Sequence, residues 1–195
     1  MKITIHFISQ GRMLEGSLYM FELNKGPVPG LLFEGSMTGA TQQVTEFLAR
    51  ETSRHGFACL VMDHSYYGED ETATAPWESP SKRKQDIKEA LDYLMHHVDV
   101  ERDKIAGVGV SVGAEFLAEA SRETPIMKGL VLIQGVFDDA EKVAERVDVP
   151  TFIVDETHLD AAVDETVEWI EKLFRGGVPE KGAGQAVVDW SQMDE

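Results

Sequence analysis

The sequence predicts an α/β fold, a three-layer sandwich in which helices cover both faces of a mainly parallel sheet. Short apolar runs alternate along the chain with amphipathic helical patterns, and that alternation is typical of parallel sheets. Phe57 to Met62 is a continuous apolar run, which suits a strand buried on both faces. Only the N-terminus alternates apolar with polar residues, so an antiparallel hairpin is predicted there.

The elements follow from periodicity and from turn residues. In the hairpin, Gly11-Arg12 is the predicted turn. Ile87, Leu91 and Leu94 recur at helical spacing and mark the clearest amphipathic helix. The predicted strands are Ile3 to Ser9, Leu14 to Leu23, Leu31 to Phe33, Phe57 to Met62, Ile105 to Val110, Lys128 to Gln134 and Pro150 to Val154. The predicted helices are a segment around Val44 to Glu51, Lys82 to His97, a segment after Gly113, Ala140 to Arg146 and Ala161 to Phe174.

Length and composition indicate a globular protein of one domain over residues 1–195, in which residues 176–195 form a linker followed by a terminal strand or a tail. The net charge of −17 would repel phosphate backbones, so nucleic acid is not an expected partner. The acidic residues are dispersed, which favours a solvated acidic surface. No apolar run approaches the ~18 residues of a membrane span, so no membrane partner is expected.

The single cysteine and the N-terminal segment indicate the cellular compartment in which the protein is expected. Cys59 cannot form an internal disulfide and lies in an apolar run, so we expect a buried thiol in a reducing environment. The N-terminal segment alternates like a strand and lacks the apolar core of a signal peptide. We therefore expect a cytoplasmic protein that acts on a small molecule. Its oligomeric state is open, with a homodimer among the alternatives.

The pentapeptide Gly109-Val110-Ser111-Val112-Gly113 carries the strongest chemical signal. It is a G-x-S-x-G motif between a predicted strand and a predicted helix, the context of a nucleophile elbow. Such a turn exposes the serine hydroxyl, and the flanking glycines allow backbone segments to approach closely. The helix N–H groups beside the serine favour an oxyanion there. The motif predicts a nucleophilic serine.

No cofactor or metal is expected. Gly107 to Gly113 imitates part of a dinucleotide-binding fingerprint, but it falls in the middle of the chain with no first βαβ unit before it. His96-His97 and Asp63-His64 are adjacent pairs, not ligands spaced along one helix face. His64 follows a predicted strand and could line a pocket.

Taken together, several segments resemble the α/β-hydrolase superfamily, and most of all its dienelactone-hydrolase-like branch. Gly30-Leu-Leu-Phe-Glu-Gly-Ser36 resembles the strand that leads to the oxyanion site. His55 to Asp63, followed by Tyr67-Gly68, resembles the G-[FY]-x-x-x-x-x-D…G block of the family. Asp86 to Leu94, with Val100 to Ile105, resembles the helix and turn before the nucleophile. The resemblance spans about the first 160 residues and implies a short version of that fold.

The resemblance assigns roles to individual residues. It makes Ser111 the nucleophile and implies oxyanion donors at the backbone N–H of Val112 and of Ser36 or Met37. Two positions depart from the family pattern. Glu34-Gly35 stands where many serine hydrolases of this fold have His-Gly, and the dienelactone hydrolases usually have cysteine as the nucleophile. The resemblance places a glutamate near the nucleophile, so Glu34 is a candidate pocket residue.

The remaining triad members follow from chain order, which in the family is Ser, then acid, then His. His158 is the only histidine after Ser111 and is the candidate base. Asp138 lies in a segment that resembles the family's G-x-x-D acid loop and is the first candidate acid. A competing alignment makes Asp155 or Asp160 the acid, in which case the terminal strand, Ala186 to Asp189, carries no histidine.

Two functions are consistent with these residues. The first is a serine hydrolase that cleaves an ester, lactone or thioester of a small acid through an acyl-enzyme. The second is a non-catalytic small-molecule binding protein that keeps the fold with an incomplete triad, since fold alone does not establish function.

Overall fold

The computed structural model describes residues 1–22, 25–35, 39–63, 80–134, 140–155 and 158–176. Within these ranges the chain forms seven strands and five helices. The strands are β1 (Lys2–Ser9), β2 (Arg12–Tyr19), β3 (Val28–Glu34), β4 (Ala58–Asp63), β5 (Val100–Val110), β6 (Leu130–Gln134) and β7 (Thr151–Asp155). The helices are α1 (Gly39–Ser53), α2 (Pro80–His96), α3 (Gly113–Glu123), α4 (Ala140–Ala144) and α5 (Leu159–Phe174).

One mixed sheet joins the described strands in the order β1-β2-β4-β3-β5-β6-β7. β1 pairs with β2, and β2 with β4, in antiparallel fashion. β3 pairs in parallel with β4 and β5, and the pairs β5–β6 and β6–β7 are parallel as well. The predicted N-terminal hairpin and mainly parallel sheet are therefore confirmed.

Helices cover both faces of the sheet, which confirms the three layers. Neighbouring residues of β3 belong to different cores: Leu32 packs with the buried face of α2, whereas Leu31 and Phe33 pack with α1 and α5. All three side chains are buried. A strand in the middle of the sheet thus has no solvent-facing side, which explains its continuous apolar sequence.

The element boundaries differ from the predictions in a few places. β2 ends at Tyr19 instead of continuing to Leu23. β5 begins at Val100, five residues before the predicted Ile105, because Val100 pairs with Val28. Helix α2 begins at Pro80, a residue that the first turn of a helix tolerates because its missing N–H would have no intrahelical acceptor there.

The carboxyl ends of β3 to β7 lie along one edge of the sheet, because these five strands run parallel. Ligands bind at this edge in open α/β sheets. Glu34, Asp63 and Asp155 end their strands there, and Ser111 directly follows β5. None of the described helices combines the length and apolarity that a bilayer crossing requires.

Candidate active site

Ser111 occupies the turn between β5 and α3, at the centre of the sheet edge. Its φ is 54°, in the left-handed region that L-amino acids rarely adopt. Its N–H donates to the carbonyl of Ile133 on β6 at 3.0 Å, and its own carbonyl accepts from Ala114 N–H at 2.9 Å. The side chain is partly exposed. The turn therefore holds a strained serine at the surface between two regular elements.

The two glycines of the motif are required by close packing. A methyl group on Gly113 would overlap the carbonyl group of Glu34 and the backbone nitrogen of Gly35. A methyl group on Gly109 would lie 2.5 Å from the Cα of Ala114. The start of α3 therefore lies directly against the ends of β3 and β5, which gives the predicted role of both glycines a physical cause.

The predicted oxyanion donors lie only partly within the described residues. Val112 precedes α3 with φ −54° and ψ −25°, so its N–H belongs to the helix start, where N–H groups lack intrahelical acceptors. Ser36 and Met37 lie outside the described residues, but Gly35, which precedes them, is buried against Gly113. The first turn of α3 and the end of β3 are thus in contact.

Glu34 is buried and forms an ion pair with Arg83 of α2. The Glu34 Oε1 lies 2.5 Å from Arg83 Nε, and the two side chains are 1% and 0% exposed. Arg83 Nη2 also donates to the carbonyl of Gly35, and its guanidinium carbon lies 4.2 Å from the ring centroid of Phe116 on α3. The pair joins three elements beside the Ser111 turn.

Sequence reasoning missed Arg83, although a signal was present. Arg83 precedes Ile87 by one helical repeat and therefore lies on the same stripe as Ile87, Leu91 and Leu94. A charged residue on a core-facing stripe must be paired if it is buried. Glu34, at the end of an apolar strand, was an opposite charge in a comparable position.

The candidate base lies near the same edge, two strands away. His158 is exposed and directly precedes α5, with φ −126° and ψ 80°. β6 lies between β5 and β7, so His158 must reach across about 10 Å, or two strand spacings, to meet Ser111. Asp160 is exposed in the first turn of α5, and Asp155 ends β7. Asp138 and His64 lie outside the described residues.

The setting of the Cys59 thiol disfavours a nucleophilic role. Cys59 is buried in β4, and burial raises the pKa of its thiol well above the ordinary value. The nucleophilic thiolate is therefore disfavoured there. Among the residues that the structure describes, no group of three or more His, Cys, Asp or Glu side chains could hold a metal ion.

The strand order, the antiparallel hairpin and the strand–serine–helix turn define an α/β-hydrolase fold. Solved structures of the same fold agree. Dienelactone hydrolase from Anabaena variabilis matches with a TM-score of 0.68 and 17% identity, over 88% of this chain and 97% of that one. Est1E from Butyrivibrio proteoclasticus matches with a TM-score of 0.67 and 16% identity, over 88% and 99%. The predicted dienelactone-hydrolase-like relationship is confirmed at the level of the fold.

Sequence comparison is less informative. No family model matches the chain. The protein YcjY of Escherichia coli (strain K12) is 28% identical over 98 residues, which are 50% of this chain and 32% of YcjY. The chain thus spans about a third of the length of the curated relative that it matches.

Proposed function

We propose that this protein is a serine hydrolase that cleaves an ester, lactone or thioester of a small acid, with Ser111 as the nucleophile. The conformation of Ser111 carries the proposal: a non-glycine residue with φ 54° between a strand and a helix is the geometry of a nucleophile elbow. Strained backbone at a sheet edge where ligands bind is typical of functional sites. The hydrolase names of the structural neighbours favour the same class.

The reaction proceeds in two halves. His158 accepts the proton of the Ser111 hydroxyl while Oγ attacks the substrate carbonyl carbon, and the carbonyl oxygen becomes an oxyanion. Collapse of this intermediate breaks the bond to the leaving oxygen or sulfur, which takes the proton from His158. Water then attacks the acyl-enzyme with the same histidine as base, and the free acid and Ser111 are released.

The oxyanion is held by backbone N–H groups at the start of α3 and after β3. Val112 is one donor, and Ser36 or Met37 is the other. The contact of Gly113 with Glu34 and Gly35 supports this pairing, because it joins the two segments that would supply the donors. Loss of one such donor costs on the order of 10²–10³ in rate in serine hydrolases.

The acid that orients His158 is Asp138 in the family-like order Ser111, Asp138, His158. Asp155 or Asp160 is the competing candidate. Asp155 ends β7, three positions before His158, and Asp160 lies in the first turn of the helix that follows His158. Asn substitution at each of the three positions distinguishes them. Only substitution of the orienting acid should lower kcat by orders of magnitude, because the histidine is then no longer held in the tautomer that accepts the serine proton.

The direct test is intact-mass analysis after exposure to a fluorophosphonate, followed by peptide mapping. Attack by the Ser111 oxygen on phosphorus displaces fluoride and leaves one phosphonyl group on the protein. We expect a single adduct on Ser111 and no adduct on the Ser111→Ala variant, which should keep the wild-type melting temperature within a few degrees. An unlabelled wild-type protein that is fully folded would contradict the proposal.

A non-catalytic small-molecule binding protein is the second candidate. It is favoured by the position of His158, which is exposed and separated from the Ser111 turn by the width of β6. Buried Glu34, where many serine hydrolases of this fold have histidine, points the same way. This candidate predicts no labelling of Ser111, together with ligand-dependent thermal shifts that the Ser111→Ala variant retains.

A further inference from the structure

We propose that Arg83 is a positioning residue for the oxyanion-binding segment. It binds the carbonyl of Gly35 at the end of β3, while α3 packs against the backbone nitrogen of the same residue. The chemical consequence rests on the proposed function. The clamp itself is made of contacts between described residues, so it can be tested whether or not the protein is a hydrolase.

Gly35 is confined by three helices. Arg83 of α2 donates a hydrogen bond to its carbonyl oxygen. Thr45 of α1 packs so closely on its Cα that a methyl group there would overlap the threonine hydroxyl. Gly113, which begins α3, lies against its nitrogen. The residue that leads into the predicted oxyanion donors is therefore held by contacts from α1, α2 and α3.

The hydrogen bond from Arg83 acts on one peptide unit. The carbonyl of Gly35 and the N–H of Ser36 belong to the same amide, which is planar and rigid. A cation that holds the carbonyl oxygen restricts rotation of this amide and also polarises it, because hydrogen bonds at the two ends of an amide strengthen one another. Arg83 thus acts on the candidate donor of Ser36 without touching the substrate.

Arg83 also links this peptide unit to the nucleophile. Its guanidinium stacks on Phe116, five positions after Ser111 in the helix that the serine precedes. Its Nε meanwhile binds the Glu34 carboxylate, whose uncompensated charge would repel an oxyanion formed nearby. One side chain thus contacts both elements that would supply the oxyanion donors, β3 and α3, and neutralises the carboxylate of Glu34.

A buried ion pair of this kind contributes little to stability, because desolvation offsets the attraction between the charges. Replacement of such a pair with apolar residues of similar size is often neutral or stabilising. The planar guanidinium with several donors is needed only if two acceptors must be held at once, as Glu34 and the Gly35 carbonyl are here.

The test uses three variants. Arg83→Lys keeps the charge that pairs with Glu34 but loses the fork that reaches Gly35. The double variant Glu34→Leu/Arg83→Met replaces the whole pair with apolar residues, which avoids an unpaired buried charge. Ser9→Ala is the matched control, because it removes a buried hydrogen bond of 2.6 Å to Asp86 on the same helix α2 without touching Gly35.

Two readouts apply to all variants. In fluorophosphonate labelling, Arg83→Lys and the double variant should lower the limiting rate of adduct formation by about 10²-fold, the effect of an ångström-scale misplacement, with the concentration dependence little changed. In hydrogen exchange, the peptide that contains Gly35 should lose protection while the strands far from it do not. Ser9→Ala should leave both readouts at wild-type values.

The outcomes separate the two proposals. If the wild-type protein is labelled and folded Arg83→Lys is labelled equally fast, the positioning role is wrong although the hydrolase proposal stands. If the wild-type protein is not labelled, the hydrolase proposal fails, and hydrogen exchange alone then tests the positioning role of Arg83. Unchanged protection around Gly35 in both Arg83 variants then refutes the clamp, and its selective loss supports it.

Discussion

The backbone of Ser111 is held in a conformation that costs an L-residue about 1–2 kcal/mol. Two hydrogen bonds and the packing of Gly109 and Gly113 maintain it. The surrounding structure therefore stores strain at one residue, where the hydroxyl is partly exposed. Natural sequences keep such strain where function requires it.

Replacing Ser111 with glycine should relieve this strain. We expect Ser111→Gly to be more stable than Ser111→Ala by about 1 kcal/mol, because glycine adopts positive φ without a Cβ clash. Urea denaturation of both variants measures the difference. Ser121, inside α3, is the matched control. There the alanine variant should be more stable to unfolding than the glycine variant by about 1 kcal/mol, because helix interiors disfavour glycine. The same order at both positions would show that the turn is unstrained.

At the scale of elements, α2 and α3 are joined on their outer side by a small charge cluster. Glu123, at the end of α3, lies 2.7 Å from Lys84 Nζ and also pairs with Lys88. Hydrogen bonds from Lys84 and then Lys88 lower the pKa of Glu123 from 4.5 to about 2. The carboxylate is thus stabilised in the folded protein relative to the unfolded chain.

The contribution of this cluster should depend on pH. A depressed folded-state pKa adds stability above the unfolded pKa, and that stability is lost as the pH falls through the folded pKa. We therefore expect Glu123→Gln to lower the melting temperature slightly at pH 7, and the gap to wild type to close between about pH 5 and pH 2. Glu22→Gln removes the same charge at an exposed site after β2 and is the control. A gap for Glu123→Gln that is constant with pH would contradict the assignment.

The sequence specified most elements because their apolar patterns are clear: β4 is a continuous apolar run, and the second half of α2 repeats apolar residues at helical spacing. It missed the beginnings of α1 and β5 because these segments carry little apolar periodicity. Residues 39–43 show no helical stripe, and Glu101 to Lys104 are all charged although they extend β5. Pairing of Val100 with Val28 determines that strand, and such a tertiary contact cannot be seen in a local pattern.

The candidate site was predicted to a similar extent. The position of Ser111 and the need for Gly109 and Gly113 followed from the motif alone. The Glu34–Arg83 pair did not, because its partners are 49 positions apart and only the sheet topology brings them together. The catalytic roles of Ser111, His158 and Asp138 stay predictions, as do the oxyanion roles of Val112, Ser36 and Met37.

At the scale of the whole molecule, the charge is strongly unbalanced, with 35 acidic and 18 basic residues. Acidic side chains dispersed over the surface repel one another, and this repulsion favours the more expanded unfolded chain. Individual surface ion pairs contribute only about 0–1 kcal/mol, so they do not offset a net charge of −17.

Salt should therefore stabilise the protein. Raising NaCl from about 0.01 M to 0.1 M shortens the Debye length from ~30 Å to ~10 Å, which screens the long-range repulsion while short ion pairs lose less. We expect a gain of about 1 kcal/mol, or about 2–4 °C in melting temperature for a chain of this size. Scanning calorimetry at pH 7 checks this, with equal osmolarity of sucrose as the control. A melting temperature that falls with NaCl would show that the ion pairs dominate.

The strand order also determines when each strand can pair with its neighbours during synthesis. β2 meets its inner neighbour β4 only after Asp63 has left the ribosome, and β3 gains its second neighbour only after Val110 has emerged. Until then the nascent chain presents an unpaired apolar strand edge, which is a template for association with other chains. Completion of β5 moves the open edge to β5 itself, because its other neighbour, β6, ends only at Gln134. The Ser111 turn therefore leaves the ribosome before the strand whose Ile133 carbonyl accepts its N–H.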